Sequence, residues 1–543
     1  MIQTLRNIRR LAKAGRTLAR YDALWPTDML GAKPKAAEWV GRIARIRLPW
    51  EKKLSATDGQ GIERLSRALQ DLGPSYIKLG QLLATRPDIV GQEAAEDLKA
   101  LQDRMPPFPM AHAKSVIEQE LGGAVTTFFD ELSEPIAAAS IAQVHKAVRR
   151  PLTAKETDQD TAPTAHNDNN RGAVAVKVLR PGIERDFQKD LDAFFFAAHQ
   201  VEHWSVPARR LRPVAFVQTL ADSTALEMDL RIEAAAASEL AENTWDDSGF
   251  RVPKVDWERT SQRVLTLEWV NGIPINDLEA LKKAKLDLPD LANRVIQAFL
   301  RQALRDGFFH ADMHQGNLLV DEDGTLVAID FGIMGRLDEA SRRFMAETLF
   351  GFLMRDYKRV ADVHFEAGFV PRSHARDAFA QALRAIGEPI FDRDAEDISM
   401  AKLLTQLLQT TDTFDMRMQP QLVLLQKTMV VVEGVARNLD PHHNIWEAAR
   451  PVLEEWMTQQ MGPEARISAA AEDAVALGRV LRSLPSFLSK AEVAAATLTD
   501  DGIRLDPETA RIIGESEARA NRGGRLALWV IAASLAAIAI SLL

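Results

Sequence analysis

The residues best suited to chemistry lie in one stretch, from Phe308 to Gly332, which reads FFHADMHQGNLLVDEDGTLVAIDFG. Asp312 precedes Asn317 by five positions, and Asp330 opens an Asp-Phe-Gly. An aspartate on such a loop can orient a nucleophile or accept its proton, and an amide oxygen and a carboxylate can hold Mg²⁺ against phosphate groups. The spacing therefore predicts a phosphoryl-transfer site in which Asp312 is catalytic and Asn317 and Asp330 bind the metal.

A second interpretation of this stretch is a transition-metal site. His310, Asp312 and His314 form His-x-Asp-x-His, a pattern that can hold a metal in a metallohydrolase. This interpretation gives no role to Asn317 or to the Asp-Phe-Gly, and the sequence has no partner cluster of histidines. Packing of the two histidines within the loop is the simpler expectation.

Lys177 is the candidate for binding nucleotide phosphates, because it ends Val-Ala-Val-Lys on a predicted strand. In phosphoryl-transfer enzymes a strand lysine meets the α- and β-phosphates and is held by a glutamate from a helix. Glu233, in the helical segment LEMDLRIEAAAASEL, is the predicted partner. Many half-buried strands end in lysine, so this pattern alone is weak evidence for a nucleotide site. The Asp312 stretch downstream strengthens the assignment of Lys177.

A loop that covers the phosphates is expected upstream of Lys177, but the sequence has no Gly-x-Gly-x-x-Gly there. The candidate is an alanine-rich loop, and a small-residue packing stretch is the alternative. Alanine restricts both positive φ and close backbone approach, which glycine would allow. The predicted nucleotide-binding residues of this loop are Ile136, Ala137, Ala138, Ala139, Ser140, Ile141, Ala142, Gln143 and Val144.

Helices and strands must position these residues. Apolar residues at spacings of three and four predict helices over residues 60–125, about 183–205, 212–243, 277–306 and from 341 to about 495. Segments rich in β-branched residues predict strands within 128–148, 172–182, 263–275, 318–320 and 326–329. The polar stretch 150–172 is predicted to be a disordered loop inserted in a hairpin.

Composition is that of an ordinary globular protein, with 46% hydrophobic and 26% charged residues. A chain of 543 residues predicts two or three packed units. The net charge of −9 argues against a nucleic-acid partner. The absence of cysteine excludes disulfides, zinc–thiolate sites and thiol catalysis.

The C-terminal segment predicts a membrane span. Leu526 to Leu543 carries no charge and, at about 1.5 Å per residue, is about 27 Å long, close to a bilayer core of roughly 30 Å. Arg519, Arg522 and Arg525 precede it, so the catalytic part is expected to stay in the cytoplasm. A buried C-terminal helix is the alternative interpretation.

The N-terminal segment MIQTLRNIRRLAKAGRTLAR is not a signal peptide, because it has no apolar run of seven residues. Leu5, Ile8, Leu11 and Ala12 fall on one helical face among arginines and lysines. Two interpretations stay open: a helix that lies on a membrane surface, and a solvated basic helix that packs on the rest of the protein.

Taken together, these motifs resemble the UbiB family of atypical kinase-like proteins (AarF-type), which is associated with ubiquinone biosynthesis. The resemblance covers residues 78–332, about half of the chain. The polar stretch 150–172 departs from the family, and some bacterial members carry two spans where this chain has one. The matching positions are Lys78-Leu79-Gly80-Gln81 (the family's Lys-x-Gly-Gln), the alanine-rich loop, Val-Ala-Val-Lys177, Glu227-Met228-Asp229 with Glu233, His310-Ala-Asp312 through Asn317, and Asp330-Phe-Gly.

The resemblance implies an α+β, bilobal protein-kinase-like fold in which the Lys-x-Gly-Gln helices lie over the cleft where a peptide would bind. It implies that Lys78 and Gln81 project toward the nucleotide as catalytic residues. Glu227 and Asp229 are implied to lie near these two residues and to take part in nucleotide binding. ATP and Mg²⁺ are the implied cofactors. A membrane lipid or quinone precursor and enzymes of quinone biosynthesis are the implied partners, at the cell inner membrane.

The sequence also argues against ordinary protein phosphorylation. After Gly332 the chain becomes helical almost at once, with neither a long Ser/Thr-bearing activation segment nor an Ala-Pro-Glu. The predicted function is therefore ATP binding and hydrolysis at a membrane, in support of quinone-lipid synthesis. Two alternatives stay open: a small-molecule kinase of the aminoglycoside or choline type, and a non-catalytic scaffold that binds nucleotide or prenyl lipid.

The expected organisation has four parts. They are a helical N-terminal extension with the Lys-x-Gly-Gln motif (1–125), a kinase-like N-lobe (126–275), a large helical C-lobe with the catalytic loop (276–515) and a C-terminal transmembrane helix (526–543).

Overall fold

A computed structural model describes most of the chain as far as Met461. The described residues are 2–21, 23, 64–84, 86, 90–99, 101, 105–151, 172–204, 209, 211–391, 413–416 and 420–461. The chain divides into two compact units, Met1–Trp456 and Met457–Leu543, and only residues 457–461 of the second are described. Most of the polar stretch and the predicted transmembrane segment lie outside the described residues. Among those that are described, no helix is long and apolar enough to cross a membrane.

The helices fall into three groups along the chain. The first group is α1 (Ile2–Arg20), α2 (Arg64–Leu72), α3 (Pro74–Ala84), α4 (Gln92–Lys99), α5 (Met110–Leu121) and α6 (Val125–Phe128). The second is α7 (Ile183–Trp204), α8 (Pro213–Glu227), α9 (Leu230–Asn243), α10 (Leu278–Lys283) and α11 (Leu288–Leu300), which a π-helix (Arg301–Asp306) continues. The third is α12 (Glu339–Leu353), α13 (Tyr357–Glu366), α14 (Arg376–Phe391), α15 (Pro420–Leu439) and α16 (Ile445–Met461).

Within the described residues, the strands form two four-stranded sheets and one two-stranded sheet. The first sheet has the order β1-β2-β3-β5, from β1 (Phe129–Ala138), β2 (Ala142–Arg149), β3 (Ala173–Leu179) and β5 (Val264–Glu268). The second has the order β4-β9-β8-β6, from β4 (Phe250–Arg251), β6 (Gly272–Pro274), β8 (Leu318–Asp321) and β9 (Leu326–Ala328). Strand β7 (Phe308–His310) pairs with β10 (Met334–Arg336). This combination of helices and sheets confirms the α+β class.

Aspartate residues begin five of the described helices. Each accepts a hydrogen bond from a backbone N–H two or three positions later, which satisfies a donor without an intrahelical partner and suits the positive end of the helix dipole. They are Asp229 before α9, Asp277 before α10, Asp287 before α11, Asp338 before α12 and Asp356 before α13. The single helix expected over 212–243 is two helices, because α8 ends at Glu227 and Asp229 caps α9.

One face of the first sheet packs on a hydrophobic core. Val174, Val176 and Val178 alternate along β3 and pack with Val116 and Ile117 of α5. Because side chains alternate between the two faces of a strand, the residues between these valines point to the opposite face. The core therefore decides on which side of the sheet the lysine of Val-Ala-Val-Lys lies.

Helix α3, which holds the Lys-x-Gly-Gln motif, packs against α2, α4, α7 and α8. Gly80 lies at the closest approach, because a Cβ there would be 2.6 Å from Leu69 and 2.7 Å from Leu101. Tyr76 stacks edge-on against Phe194 of α7, with ring centroids 5.0 Å apart. These contacts hold α3 against neighbouring helices, among them α7 and α8, which precede α9 in the chain.

Gly307 follows the π-helix and precedes β7, the strand that leads into the loop with Asp312. Gly307 has a φ of +66°, and a Cβ there would be 2.7 Å from the carbonyl oxygen of Leu337. The Gly307 carbonyl accepts the backbone N–H of Leu337 at 2.8 Å. Both the left-handed conformation and the close backbone approach require glycine at this position.

The Gly307→Ala protein should have a free energy of unfolding about 1–3 kcal/mol lower than the unsubstituted chain, because alanine at positive φ is strained and its methyl overlaps a carbonyl group. Gly434→Ala is the matched control. Gly434 lies within α15 with nothing within 4 Å of an added Cβ, so alanine there should stabilise the protein by about 0.5–1 kcal/mol. Denaturant unfolding followed by circular dichroism measures both. Equal stability of Gly307→Ala and the unsubstituted chain would contradict the strain argument.

Candidate active site

Lys177 lies in the middle of the first sheet. It pairs with Val144 of β2 on one side and with Leu265 of β5 on the other. Directly paired residues of antiparallel strands point to the same face, and Ala137 of β1 continues this row through its pairing with Val144. The row lies on the face opposite the α5 core, toward α9, which packs against β5.

The Lys177 ammonium lies between two carboxylates. Its Nζ donates to Glu233 Oε1 at 2.7 Å and Oε2 at 2.9 Å, and to Asp330 Oδ2 at 3.2 Å. Glu233 also accepts the backbone N–H of Phe331 at 3.5 Å, and Asp330 Oδ1 accepts the N–H of Gly332 at 3.0 Å. The structure thus joins β3, the first turn of α9 and the Asp-Phe-Gly segment at one point.

Charge pairing controls the protonation states of Lys177, Glu233 and Asp330. Burial opposes the charged form of Lys177, but the carboxylates of Asp330 and Glu233 outweigh it and raise the Lys177 pKa. Burial likewise favours neutral Asp330, yet the Lys177 ammonium and the Gly332 N–H hold the Asp330 pKa well below its usual range. Burial raises the pKa of Glu233, an effect that Lys177 opposes. The Asp330 side chain keeps 44% of its surface exposed, so an ionised carboxylate is accessible to a cation.

Asp312 and Asn317 lie on the loop between β7 and β8. Asn317 Nδ2 donates to the backbone carbonyl of Asp312 at 3.0 Å, an orientation that leaves Oδ1 as the atom for a metal. The backbone carbonyl of Asn317 accepts the N–H of Ile329 at 3.1 Å, which places Asn317 beside the residue preceding Asp330. An amide oxygen and an ionised carboxylate are ligands that suit Mg²⁺, so Asn317 and Asp330 fit this ion.

His310 and His314 point in different directions. His310 is fully buried, accepts the backbone N–H of Asp312 on Nδ1 at 3.1 Å and lies 5.8 Å from Phe331 between ring centroids. Burial lowers the pKa of His310. His314 is half exposed, with Nε2 3.7 Å from Asp312 Oδ2. The part of the chain that the structure describes has no group of three His, Asp or Glu side chains arranged to hold a metal, so the geometry does not support a His-x-Asp-x-His site.

Only part of the predicted alanine-rich loop faces Lys177. The stretch forms the ends of β1 and β2 and a tight turn at 139–141, closed by a hydrogen bond from the Ala139 N–H to the Ala142 carbonyl at 2.8 Å. Ala137 lies in the row that contains Lys177, and the neighbouring Ile136 is 53% exposed. Ser140 and Ile141 of the turn are buried, as is Ala142 at the start of β2.

The Gln143 side chain lies on the other face of the sheet. It pairs with Ala138 and with Val178, a residue of the α5 core. Its Oε1 accepts the backbone N–H of Phe108 at 2.9 Å, and its Nε2 lies 2.9 Å from Nε2 of His145. Gln143 is fully buried, so its side chain holds the sheet to the segment before α5 and does not face the nucleotide side.

Arg180 holds the turn of the alanine-rich loop, and no sequence motif points to this role. Its Nε donates to the carbonyl of Ser140 at 2.9 Å, and its Nη2 donates to the carbonyls of Ala139 at 3.1 Å and Pro106 at 2.7 Å. Arg180 directly follows β3, three residues after Lys177. The strand that positions the lysine therefore also positions the turn.

Lys78 of α3 reaches the C-terminal end of α8. Its Nζ lies 2.7 Å from a carboxylate oxygen of Glu227, and the two side chains are only 14% and 17% exposed. Gln81 lies about one turn further along α3 and is half-buried. Asp229 instead caps α9 and accepts from the Arg231 guanidinium at 2.6 Å. The structure brings Lys78 and Glu227 together and gives Asp229 a separate partner.

Two buried polar side chains support the catalytic loop without being part of a recognisable motif. Gln302, in the π-helix, accepts the backbone N–H of His310 on Oε1 at 3.1 Å. Thr428 of α15 donates to the carbonyl of Ala311 at 3.0 Å, across a separation of 117 residues. A contact over such a separation leaves no local pattern in the sequence.

The segment after the Asp-Phe-Gly is short. Strand β10 begins at Met334 and pairs with β7, and α12 begins at Glu339. The chain from Gly332 to α12 therefore has no room for a long activation segment, in agreement with the sequence-based expectation.

The Arg180→Met substitution should loosen the alanine-rich loop, because it removes the donor of hydrogen bonds to three carbonyl groups. We expect faster hydrogen exchange of the Ala139 N–H and roughly tenfold weaker affinity for ATP with Mg²⁺, equivalent to about 1.4 kcal/mol of lost preorganisation. Arg150→Met is the matched control, since Arg150 donates to the Thr126 carbonyl and to Asp130, away from the loop. Unchanged exchange at Ala139 in Arg180→Met would show that other contacts hold the turn.

Two family models match the chain between residues 100 and 444. The ABC1 atypical kinase-like domain matches residues 100–156 and 163–364, and the UbiB helical domain matches residues 383–444. A probable protein kinase UbiB of Marinobacter nauticus is 42% identical over 435 residues, which are 78% of this chain and 75% of the relative. Relatives of the same name from Pseudomonas entomophila and Shewanella oneidensis are each 38% identical, over 93% and 85% of this chain and 92% and 81% of their own.

Among solved structures, an erythromycin complex of a Mycobacterium tuberculosis protein aligns with 69% of this chain and 89% of its own chain. The identity is 22% and the TM-score is 0.45. The family models and the relatives, by contrast, extend over most of the chain and include every motif from Lys177 to Asp330. They show an atypical kinase-like α+β fold, and this chain belongs to the UbiB family.

Proposed function

We propose that this chain binds ATP with Mg²⁺ and hydrolyses it at the cell inner membrane, in support of ubiquinone synthesis rather than protein phosphorylation. The observation that carries the proposal is the Lys177 ammonium, 2.7 Å from Glu233 and 3.2 Å from Asp330. A lysine on a strand, a glutamate on a helix and the aspartate of an Asp-Phe-Gly form the nucleotide-binding assembly of kinases. The UbiB name of the relatives supports the link to ubiquinone.

On this proposal the residues of the site have separate roles in phosphoryl transfer. Mg²⁺, when bound, supplies positive charge to the phosphate oxygens, and Asn317 and Asp330 are the residues that would hold it. Lys177 would bind phosphate oxygens while Glu233 fixes the position of its Nζ. Asp312, whose side chain is one-third exposed, would orient a water molecule and accept its proton.

Two features support hydrolysis over phosphorylation of a protein. The chain from Gly332 reaches α12 at Glu339 without the segment on which kinases bind a protein substrate. The ion pair of Lys78 with Glu227 ties the Lys-x-Gly-Gln helix to α8, immediately before α9. On this proposal α3 covers the place where a peptide would otherwise bind.

The proposed partners and location follow from the same activity. The partners are a membrane lipid or quinone precursor and enzymes of quinone biosynthesis, because hydrolysis without a protein substrate must serve a neighbouring reaction. A single C-terminal span at 526–543 would hold the catalytic part at the cytoplasmic side. The proposed domains of the chain are residues 1–125, 126–275, 276–515 and 526–543. The net charge of −9 argues against a nucleic-acid partner.

The Asp330→Asn protein should lose most of the Mg²⁺ dependence of its ATP affinity, because a carboxylate that binds the metal becomes a neutral amide. We expect affinity in the presence of Mg²⁺ to fall roughly tenfold or more, equivalent to about 1.4 kcal/mol or more. Titration of ATP with and without Mg²⁺ measures this. Asp246→Asn removes an exposed carboxylate elsewhere and is the matched control. Unchanged metal dependence in Asp330→Asn would remove Asp330 from the metal site.

Cells that lack this protein should contain much less ubiquinone, and a copy with Asp312→Asn should fail to restore it, because the amide cannot act as a base. Mass spectrometry of lipid extracts measures the quinones, and immunoblotting checks that the variant accumulates normally. The Asp246→Asn copy should restore ubiquinone fully. Restoration by Asp312→Asn would favour a non-catalytic scaffold, and normal ubiquinone without the protein would refute the biosynthetic role.

A further inference from the structure

Helix α1 packs on the rest of the protein by only one face, toward α7 and α2. Asn7 Nδ2 donates to the backbone carbonyl of Asp192 at 3.2 Å, and Arg10 forms an ion pair with Asp190. Ala14 is buried on the same side. These positions are three and four residues apart, so they form one continuous side of the helix. The structure therefore settles how α1 is attached and which side is turned outward.

The outward side of α1 exposes apolar side chains. Leu5 is 63% exposed and Ile8 is 49% exposed, and Ala12 on the next turn is also exposed. Single exposed apolar residues are ordinary on protein surfaces. A stripe of them at helical spacing is different, because it forms a continuous apolar strip along the helix that folding leaves in water.

Cations border this apolar stripe. Arg6, Arg9 and Lys13 are exposed and form no ion pair within the part of the chain that the structure describes. The whole helix IQTLRNIRRLAKAGRTLAR contains six cations and no acidic residue, although the chain carries a net charge of −9. Positive charge is thus concentrated beside the exposed apolar stripe.

We propose that α1 lies flat on an anionic phospholipid surface, with Leu5 and Ile8 at the boundary between headgroups and acyl chains. Arg6, Arg9 and Lys13 then contact lipid phosphates. An amphipathic helix of this kind gains from burying its apolar stripe and from the attraction of its cations to anionic lipid. The lack of any acidic residue suits a surface of uniform negative charge better than a protein, whose surface charges are mixed.

This contact is separate from the C-terminal segment and from ATP use, and it shares with the proposed function only the presence of a membrane. Docking by α1 would bring lipid within one helix layer of the Lys-x-Gly-Gln helix. Helices α7 and α2, against which α1 packs, both contact α3. The helix that carries Lys78 would therefore lie close to the bilayer, behind α7 and α2.

The chain contains no cysteine, so one introduced cysteine can carry an environment-sensitive fluorophore at a known position. Full-length Leu5→Cys and Ile8→Cys proteins, each labelled, are mixed with vesicles of phosphatidylglycerol and phosphatidylcholine, or of phosphatidylcholine alone. Glu279→Cys, at an exposed position of α10, is the label control. We expect blue-shifted emission and quenching by a lipid-borne quencher at positions 5 and 8 with the anionic vesicles only, and neither change at position 279.

A charge variant tests the role of the cations. Replacing the three bordering cations by glutamine in the labelled Leu5→Cys protein should raise the lipid concentration at half-maximal shift by roughly tenfold to hundredfold, since each cation contributes roughly fivefold. The matched control removes three exposed lysines elsewhere and should leave the shift unchanged. The test substitutions are Arg6→Gln, Arg9→Gln and Lys13→Gln, and the control substitutions are Lys114→Gln, Lys282→Gln and Lys283→Gln.

Vesicle flotation shows in parallel whether the chain is bound by any route. If the chain floats with anionic vesicles while the labels at positions 5 and 8 still emit as in water, the proposal is overturned. Another segment would then be the membrane anchor. A shift without vesicles that grows with protein concentration would mean that a second copy covers this face, which also overturns it. Equal shifts on neutral and anionic vesicles would refute recognition by charge. None of these measurements uses ATP, so they are independent of the proposed hydrolysis.

Discussion

The Lys177 ammonium orders the candidate site, because its two carboxylate partners come from separate parts of the chain. A charged group removed from water is destabilising unless opposite charges and hydrogen bonds surround it. Glu233 is 56 residues away and Asp330 is 153 residues away. Their shared partner therefore holds β3, the first turn of α9 and the Asp-Phe-Gly segment in one arrangement. Removal of Lys177 would leave two neighbouring carboxylates without their shared cation, and removal of either carboxylate would leave the ammonium with a single anionic partner.

The position of α9, and so of Glu233, depends in turn on the N-terminal helices. Helix α3 packs against α7 and α8, and Lys78 pairs with Glu227 where α8 ends. Two residues later Asp229 caps α9 and determines where that helix starts. Glu227 and Asp229 are two residues apart, so the ion pair connects α3 to the start of the helix that carries Glu233. The alanine-rich turn is held similarly from β3, through Arg180.

Residues from other elements support the loop that carries Asp312 and Asn317. Gln302 holds the His310 N–H from the π-helix, and Gly307 permits the turn into β7. Thr428 holds the Ala311 carbonyl from α15, within the region that matches the UbiB helical domain. Helix α15 also packs along α11. The helical domain of the family is thus part of the scaffold that positions Asp312 and Asn317.

The sequence by itself determined the residue types of the candidate site and most of the elements that hold them. Lys177, Glu233, Asp312, Asn317 and Asp330 were predicted from motif spacing, and strands β3, β8 and β9 from β-branched runs, because these signals are local. The α+β class is what the resemblance of these motifs to the UbiB family implies. The sequence also contains Asp229, a residue type that caps helices, but the helical pattern continues across it. The sequence therefore predicts one helix over 212–243 where the structure has two.

Tertiary structure alone decided which way the side chains point and which distant residues support them. Gln143 lies in the predicted nucleotide loop, yet strand alternation and the α5 core turn its side chain to the opposite face. His310 and His314 are four residues apart, yet one is buried against Phe331 and the other is half exposed. The contacts of Arg180 and Thr428 depend on sheet register and helix packing. Such contacts form only when remote segments are brought together, so no pattern of neighbouring residues can specify them.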